Sequence, residues 1–212
     1  MKKMVQTIVV MLGFVLASSA AIAAGDASAG QAKSAMCAGC HGADGNSLVP
    51  NFPKLAGQGE KYLIKQMQDI QSGARSVPEM TGMLTASSDQ DIADLAAYFA
   101  SKPAQLAGAK EARLEQGERV YRGGNLSTGV PACTGCHSPS GEGNAPAGFP
   151  ALSGQFAAYT AKQLRAFRTA AHDAEDPAGR SNDGDARIMR DVAANMSDVE
   201  IDAVANYIAG LH

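Results

Sequence analysis

The chain has 212 residues, 45% of them hydrophobic and 18% charged, which provides enough apolar material for one large or two small domains. It carries 18 basic and 21 acidic side chains, a formal net charge of −3. This balance excludes the strongly basic surface that is typical of nucleic-acid-binding proteins.

The first 23 residues have the pattern of a secretory signal peptide. Lys2 and Lys3 precede an apolar run at 8–16, and the small-residue sequence AIA at 21–23 forms an A-x-A cleavage site. The apolar run is shorter than a comfortable membrane span, and an uncleaved anchor is the alternative. We expect cleavage after Ala23, which leaves 16 basic against 21 acidic residues, a net charge of −5, and no further apolar run that suggests a membrane.

The rest of the chain contains an internal repeat. The sequences MCAGCHG at 36–42 and ACTGCHS at 132–138 both contain the motif C-x-x-C-H, and together they hold all four cysteines. The segments that recur at a shift of 97 are FPKL at 52–55 with FPAL at 149–152, Gly57-Gln58 with Gly154-Gln155, Tyr62 with Tyr159, and Lys65-Gln66 with Lys162-Gln163. A shift of 109 aligns the later segments, so the second half has about twelve extra residues, which we predict to form a polar surface loop at 171–187.

Both halves predict the same order of helices. A short helix, at 30–36 and again at 114–121, leads into the C-x-x-C-H motif. A loop rich in Gly, Pro and Asn follows, and a second helix begins near Gln58 or Gln155. An irregular segment then precedes an amphipathic helix that closes the half.

The closing helices have the clearest pattern. Ser88 and Ser197 each stand three residues before an acidic side chain, as in a helix N-cap with a capping-box partner. The apolar positions that follow at i, i+3, i+4 and i+7 are Ile92, Leu95, Ala96 and Phe99 in the first half, and Ile201, Val204, Ala205 and Ile208 in the second. Strand signals are nearly absent. We therefore predict an all-α fold of two tandem domains, 24–102 and 103–212, related by the internal repeat.

Four interpretations of the C-x-x-C-H motifs compete. A disulfide framework suits an exported protein but does not explain the histidines. A Cys₄ zinc site would need both pairs, which lie in separate copies of the repeat. Thioredoxin-like chemistry is expected beside a βαβ pattern, which is missing. Attachment of c-type haem explains every residue, because two thiols add to the two vinyl groups of haem and the next imidazole binds the iron. We favour this fourth interpretation, with one covalent haem in each domain, attached through Cys37 and Cys40 and through Cys133 and Cys136.

The sixth ligand of each iron is then the open question. A methionine would shield the iron and raise its reduction potential relative to a second histidine, which suits electron transfer. The candidates are Met67, Met80 and Met83 in the first half and Met189 and Met196 in the second. At the shift of 109 only Met80 and Met189 align with each other.

The repeat therefore favours the ligand pairs His41 with Met80 and His137 with Met189. Met83 stays open as a competitor in the first half. His172 would make the second haem bis-histidine, but it lies in the predicted polar loop without a counterpart in the first half, and we interpret it as an exposed residue without a ligand role.

From Ala24 to His212 the chain closely resembles the di-haem cytochrome c4 family, which has tandem class I cytochrome c domains. The matching stretches are CAGCHGADGNS, PNFPKLAGQGEKYL, EMTGML, SDQDIADLAAYFAS, PACTGCHSPSGEGN, GFPALSGQ, AYTAKQL, SNDGDARIM and NYIAGLH. The resemblance implies that Met80 and Met189 are the axial methionines. It also implies that the carbonyls of Pro53 and Pro150 accept hydrogen bonds from the haem-binding histidines.

The resemblance further implies a periplasmic, non-enzymatic electron carrier of a respiratory chain. Its donor would be a membrane quinol-oxidising complex or a dehydrogenase, its acceptor a terminal oxidase, and any association with the inner membrane would be peripheral and made through a partner. Two other classes stay open: a di-haem peroxidase, which needs an iron with a free site, and the cytochrome subunit of a dehydrogenase such as flavocytochrome sulfide dehydrogenase.

Overall fold

The computed structural model describes residues 24–212, so the predicted signal peptide at 1–23 lies outside the described residues. The α-helices in chain order are α1 (Ala27–Lys33), α2 (Ala38–His41), α3 (Glu60–Ser72), α4 (Asp89–Ala100), α5 (Leu114–Gly123), α6 (Thr134–His137), α7 (Ala157–His172), α8 (Ile188–Ala193) and α9 (Asp198–Ala209). Two 3-10 helices, Ser34–Met36 and Pro78–Met80, complete the helical elements. Within residues 24–212 the backbone forms only isolated bridges and no strand, which confirms the all-α prediction.

In each half the first helix crosses the closing helix at close range. A Cβ atom on Gly30 of α1 would lie 2.0 Å from the Asp94 carbonyl oxygen in α4. A Cβ atom on Gly117 of α5 would lie 2.1 Å from the Ala203 carbonyl oxygen in α9. Any side chain at either glycine would push the two helices apart. The same crossing therefore recurs in both copies of the repeat, because Asp94 and Ala203 are aligned at the shift of 109.

The closing helices α4 and α9 form as predicted. The Ser88 hydroxyl accepts from the Asp91 backbone N–H at 3.2 Å, and the Asp91 carboxylate accepts from the Ser88 N–H at 2.9 Å. Ser197 and Glu200 form the same capping box, with distances of 3.3 and 2.8 Å. All eight predicted apolar positions are at most 5% exposed. Fully burying an Ile or Phe side chain contributes about 1.5–3 kcal/mol, so these two stripes anchor the two hydrophobic cores.

The predicted surface loop at 171–187 is a surface loop only in part. Helix α7 extends through His172, and the segment after it returns to the first half of the molecule. Arg180 and Asn182 are buried there, 9% and 8% exposed, because polar side chains of α3 satisfy them. The inserted residues therefore form part of the boundary between the two halves.

Over the described range, the helices are all too short or too polar to cross a membrane.

Candidate functional site

The two C-x-x-C-H motifs fold into short helices of nearly the same geometry. The Cys37 carbonyl accepts from the N–H groups of Cys40 at 3.2 Å and of His41 at 2.9 Å. In the second half the corresponding distances are 3.2 and 3.0 Å. A single helical turn thus fixes the spacing of two thiols and one imidazole in each half.

The two motif histidines are oriented by one backbone hydrogen bond each. His41 Nδ1 lies 2.9 Å from the carbonyl oxygen of Pro53, and His137 Nδ1 lies 2.9 Å from that of Pro150. These are the two bonds that the family resemblance implies. A carbonyl oxygen can only accept, so Nδ1 carries the proton and Nε2 keeps its lone pair. Burial lowers the pKa of both imidazoles, although the proline carbonyls oppose this, and the rings are neutral at pH 7.

The first cysteine of each motif is half-buried. Burial raises the pKa of the Cys37 thiol, and it raises the pKa of the Cys133 thiol to about 11. Cysteines that exchange disulfides have lowered pKa values, which make the nucleophilic thiolate. The raised pKa values of Cys37 and Cys133 therefore argue against thioredoxin-like disulfide exchange. Among residues 24–212 all four cysteines are free of disulfide bonds.

A cavity of about 630 Å³ lies at the second motif. Both thiols of this motif, His137 and Met189 line it together, and most of the remaining wall is apolar. Its size is within the range of cofactor-binding cavities. Two thiols, a neutral imidazole and a thioether around an apolar space are the groups that a covalently attached haem requires. The residues present therefore fit haem c.

Met189 occupies the second position of α8, where an ion pair fixes the backbone. Arg190 Nε donates to Asp183 Oδ1 at 2.6 Å, and the Arg190 backbone N–H donates to Asp183 Oδ2 at 2.9 Å. Both side chains are at most 10% exposed. Met196 also lines the cavity, but it belongs to the hydrophobic core and is 3% exposed. Of the two second-half candidates, Met189 is the one that is not part of the core cluster.

The first-half methionines lie on three different elements. Met80 is the last residue of the 3-10 helix Pro78–Met80, and Met83 follows in a turn after it. Both are half-buried. Met67 lies on α3 and packs against the first-half core, as expected of a core residue.

His172 is exposed, and it is the last residue of α7 rather than part of a loop. Its Nε2 lies 2.9 Å from the Ala194 carbonyl oxygen, and it is absent from the described wall of the cavity.

Sequence reasoning did not identify the polar network between the two halves. Arg75 and Arg180 both donate to Gln66 Oε1, each at 2.8 Å. Both also donate to Gln163 Oε1, at 3.1 and 2.7 Å. Among the described residues neither guanidinium forms an ion pair within 4.0 Å with a carboxylate, and Arg180 lines the haem-sized cavity. The signal available in the sequence was the repetition of a polar residue, Gln66 with Gln163, that haem attachment does not need.

Comparison with known proteins agrees with this geometry. The family model described as Cytochrome c matches residues 27–102 and 114–212. Cytochrome c4 of Pseudomonas aeruginosa is 55% identical over 212 residues, covering 100% of each chain. A crystal structure of reduced recombinant cytochrome c4 from Pseudomonas stutzeri matches with a TM-score of 0.84 and 56% identity, covering 89% of this chain and 100% of that one. A thiosulfate dehydrogenase electron acceptor of Stutzerimonas stutzeri is 39% identical over 179 residues, 82% of this chain and 78% of that protein.

The two segments that match the cytochrome c model each contain one C-x-x-C-H motif, and the similarity to cytochromes c4 extends over the whole chain. The predictions of two cytochrome c domains, of two covalent haem c groups and of a non-enzymatic role are thereby confirmed. The chain belongs to the cytochrome c4 family, and it is a di-haem electron carrier.

Proposed function

We propose that this chain works in the periplasm, with His41 and Met80 as iron ligands in the first half and His137 and Met189 in the second. The observation that carries the ligand assignment is the second-half cavity, where His137 and Met189 line the same space as both motif thiols. The repeat supports the assignment in the first half, because Met80 aligns with Met189 at the shift of 109.

The proposed domain organisation has three parts. Residues 1–23 are a signal peptide that is removed on export, 24–102 form the first haem domain, and 103–212 form the second. Export is consistent with covalent capping of every cysteine, since free thiols oxidise outside the cytosol.

Each group at the site has a defined task. The haem iron supplies the one-electron redox chemistry when it is bound. The thiols of Cys133 and Cys136 would hold the haem covalently, and His137 would present Nε2 to the iron because its Nδ1 bonds the Pro150 carbonyl. Met189, which lines the same cavity, would supply a thioether ligand and so exclude other ligands from the iron. Arg180 would bind a haem carboxylate, because its buried guanidinium faces the cavity with only neutral partners among the described residues.

A histidine and a methionine that both bind the iron would leave no position for a substrate, which suits electron transfer. We therefore place the chain between a membrane quinol-oxidising complex or a dehydrogenase, as donor, and a terminal oxidase, as acceptor. Any contact with the membrane is peripheral and is made through these partners.

Mixing the reduced holoprotein with bacterial membranes that contain a terminal oxidase tests the proposed role. We expect rapid reoxidation that cyanide abolishes, whereas reoxidation at the rate of a membrane-free control would contradict the proposed acceptor. The location is tested separately by releasing the periplasmic fraction of the producing cells. The holoprotein should appear there with residue 24 at its N-terminus.

A second candidate role follows from one comparison. The relative that is named a thiosulfate dehydrogenase electron acceptor is 39% identical to this chain. In this alternative the chain accepts electrons directly from a thiosulfate dehydrogenase. Reduction of the oxidised holoprotein by thiosulfate and a thiosulfate dehydrogenase, faster than by quinol and membranes, would favour the alternative.

A further inference from the structure

Two buried glutamines cross the boundary between the halves in a reciprocal pattern. Gln58 Nε2 donates to the Ala151 carbonyl oxygen at 2.9 Å, and Gln58 Oε1 accepts from the Ala151 N–H at 2.8 Å. Gln155 makes the same two bonds to Lys54, at 3.0 and 3.1 Å. Each carboxamide therefore holds both backbone groups of one residue in the other half. Gln58 and Gln155 are 7% and 9% exposed, so water does not compete freely for these bonds.

The backbone groups that the glutamines bind are connected to the motif histidines. The Lys54 N–H and the Pro53 carbonyl belong to one peptide group, and that carbonyl accepts from His41 Nδ1. A continuous chain of hydrogen bonds thus runs from the His41 ring through this peptide group to Gln155. The second half has the equivalent chain. It runs from the His137 ring to the Pro150 carbonyl, and from the Ala151 N–H of the same peptide group to Gln58.

Such a chain acts on the electron density of the imidazole. A peptide N–H that donates a hydrogen bond polarises its own carbonyl, and the carbonyl then becomes a stronger acceptor. A stronger acceptor at Nδ1 makes Nε2 a better electron donor, because outer partners raise the basicity of a ligating histidine. A more basic imidazole stabilises the ferric iron and lowers its reduction potential.

We infer that Gln58 and Gln155 are positioning residues through which each half sets the reduction potential of the haem in the other half. The inference rests on the proposed function in one respect, namely that His41 and His137 bind the irons. It goes beyond that function because it couples the two haem sites through protein hydrogen bonds, without requiring any contact between the cofactors.

The test is a spectroscopic redox titration of the two-haem holoprotein with Gln58→Leu and Gln155→Leu. Leucine removes both hydrogen bonds and keeps a side chain of similar size. Nuclear magnetic resonance of the haem and ligand signals assigns each potential to its half. We expect Gln58→Leu to raise the potential of the second-half haem alone, and Gln155→Leu to raise that of the first-half haem alone. The expected shift is about threefold in the reduction equilibrium, or roughly 30 mV for one electron.

The two variants control for each other, because each should shift only the haem of the opposite half, whereas a general loosening of the boundary would affect both haems. A variant that shifts the potential of its own half, of both halves equally, or of neither would overturn the inference. Gln58→Glu and Gln155→Glu keep the acceptor oxygen and almost the same shape. These variants should not raise the potential of the opposite haem, and a rise as large as that of the leucine variants would also overturn the inference.

Failure of the proposed function is recognised in the unmodified protein. There it would appear as an iron without histidine and methionine ligands. Failure of the coupling would instead leave those ligands in place and remove only the reciprocal shifts.

Discussion

Met80 ends a three-residue 3-10 helix in the first half, whereas Met189 lies in the first turn of the six-residue helix α8 in the second half. The residue after Met189 forms a buried ion pair with Asp183. Beside Met80 the nearest ion pair joins Glu79 to Lys162 across the boundary at 3.5 Å, and both side chains are about half exposed. Exposed pairs contribute little to stability, whereas loss of one partner from a buried pair is costly.

The additional residues of the second half account for this difference. The inserted segment carries Asp183, which supports the Met189 helix, and it also carries Arg180 and Asn182, which bind α3 of the first half. One insertion thereby stabilises a proposed ligand and the boundary between the halves. Within residues 24–102 no buried ion pair lies beside Met80, and this methionine segment should open more readily.

Removing the attachment of one haem should produce the largest difference between the two halves. Changing both Cys37 and Cys40 to Ala should abolish covalent haem in the first half, because no thiol remains to form a thioether. The mass of the exported protein should then fall by one haem, and the first-half helices should lose protection from hydrogen exchange. The matched change of Cys133 and Cys136 should give the reciprocal loss, and two retained haems in either variant would contradict the attachment sites.

Removing an axial methionine should have the next largest effect. Met80→Ala and Met189→Ala should each leave the haem attached, since the thioethers remain, and should lower the potential of that haem, since thioether ligation raises it. Spectroscopic titration measures the potential, and binding of carbon monoxide to the reduced protein reports the opened site. Met83→Ala is the matched control, and it should change neither property. If Met83→Ala produced these effects in place of Met80→Ala, the first-half ligand would be Met83.

Breaking the buried ion pair should make the second half resemble the first. Asp183→Ala leaves the Arg190 guanidinium buried without its carboxylate, which should lower the free energy of unfolding of the second half by about 3 kcal/mol. Denaturant titration that follows the second haem measures this loss. Asp191→Ala is the control, because its pair with Arg187 at 3.5 Å is exposed, and it should change the free energy of unfolding by less than about 0.5 kcal/mol. Equal effects of the two variants would contradict the supporting role of Asp183.

The smallest effect is the contribution that one first-half carboxylate, Asp94, makes to stability against acid. Hydrogen bonds from the Asp26 backbone N–H and from Lys33 lower the pKa of Asp94 to about 2. A lowered pKa means that the folded state favours the ionised carboxylate. Its contribution to stability is therefore complete above the unfolded pKa near 4 and disappears as the pH falls from about 4 to about 2. The aligned residue in the second half is Ala203.

Domain-resolved hydrogen exchange between pH 5 and pH 2 measures this effect. The first half should lose protection from exchange as the pH falls. The part of this loss that is due to Asp94 should be absent in Asp94→Asn. If the first half of Asp94→Asn showed the same pH dependence as the unmodified protein, the assignment to Asp94 would be wrong.

The local rules of helix formation made much of the fold predictable. Capping boxes at Ser88 and Ser197, with apolar residues at i+3, i+4 and i+7, depend on neighbours in the chain, and the structure has these helices where the pattern places them. The C-x-x-C-H motif is equally local, and one helical turn fixes its geometry.

The boundary between the halves was not predictable in the same way. In the sequence Arg180 has the surroundings of a loop residue, yet it is buried in the structure. It can be buried because Gln66 and Gln163, from different parts of the chain, accept hydrogen bonds from its guanidinium. In the sequence, Gln58 and Gln155 are recognisable only as residues that recur at the shift of 97. A single sequence shows which polar residues recur but not which backbone groups they will meet. Buried polar networks therefore depend on tertiary contacts that no local pattern encodes.

The most direct test of the central proposal is a redox titration of the purified holoprotein, followed by optical and electron paramagnetic resonance spectroscopy. We predict two haems per chain, both low-spin, and both with one nitrogen and one sulfur axial ligand. A bis-nitrogen iron, or a high-spin iron with an open position in the native protein at neutral pH, would contradict the proposed ligands of that half.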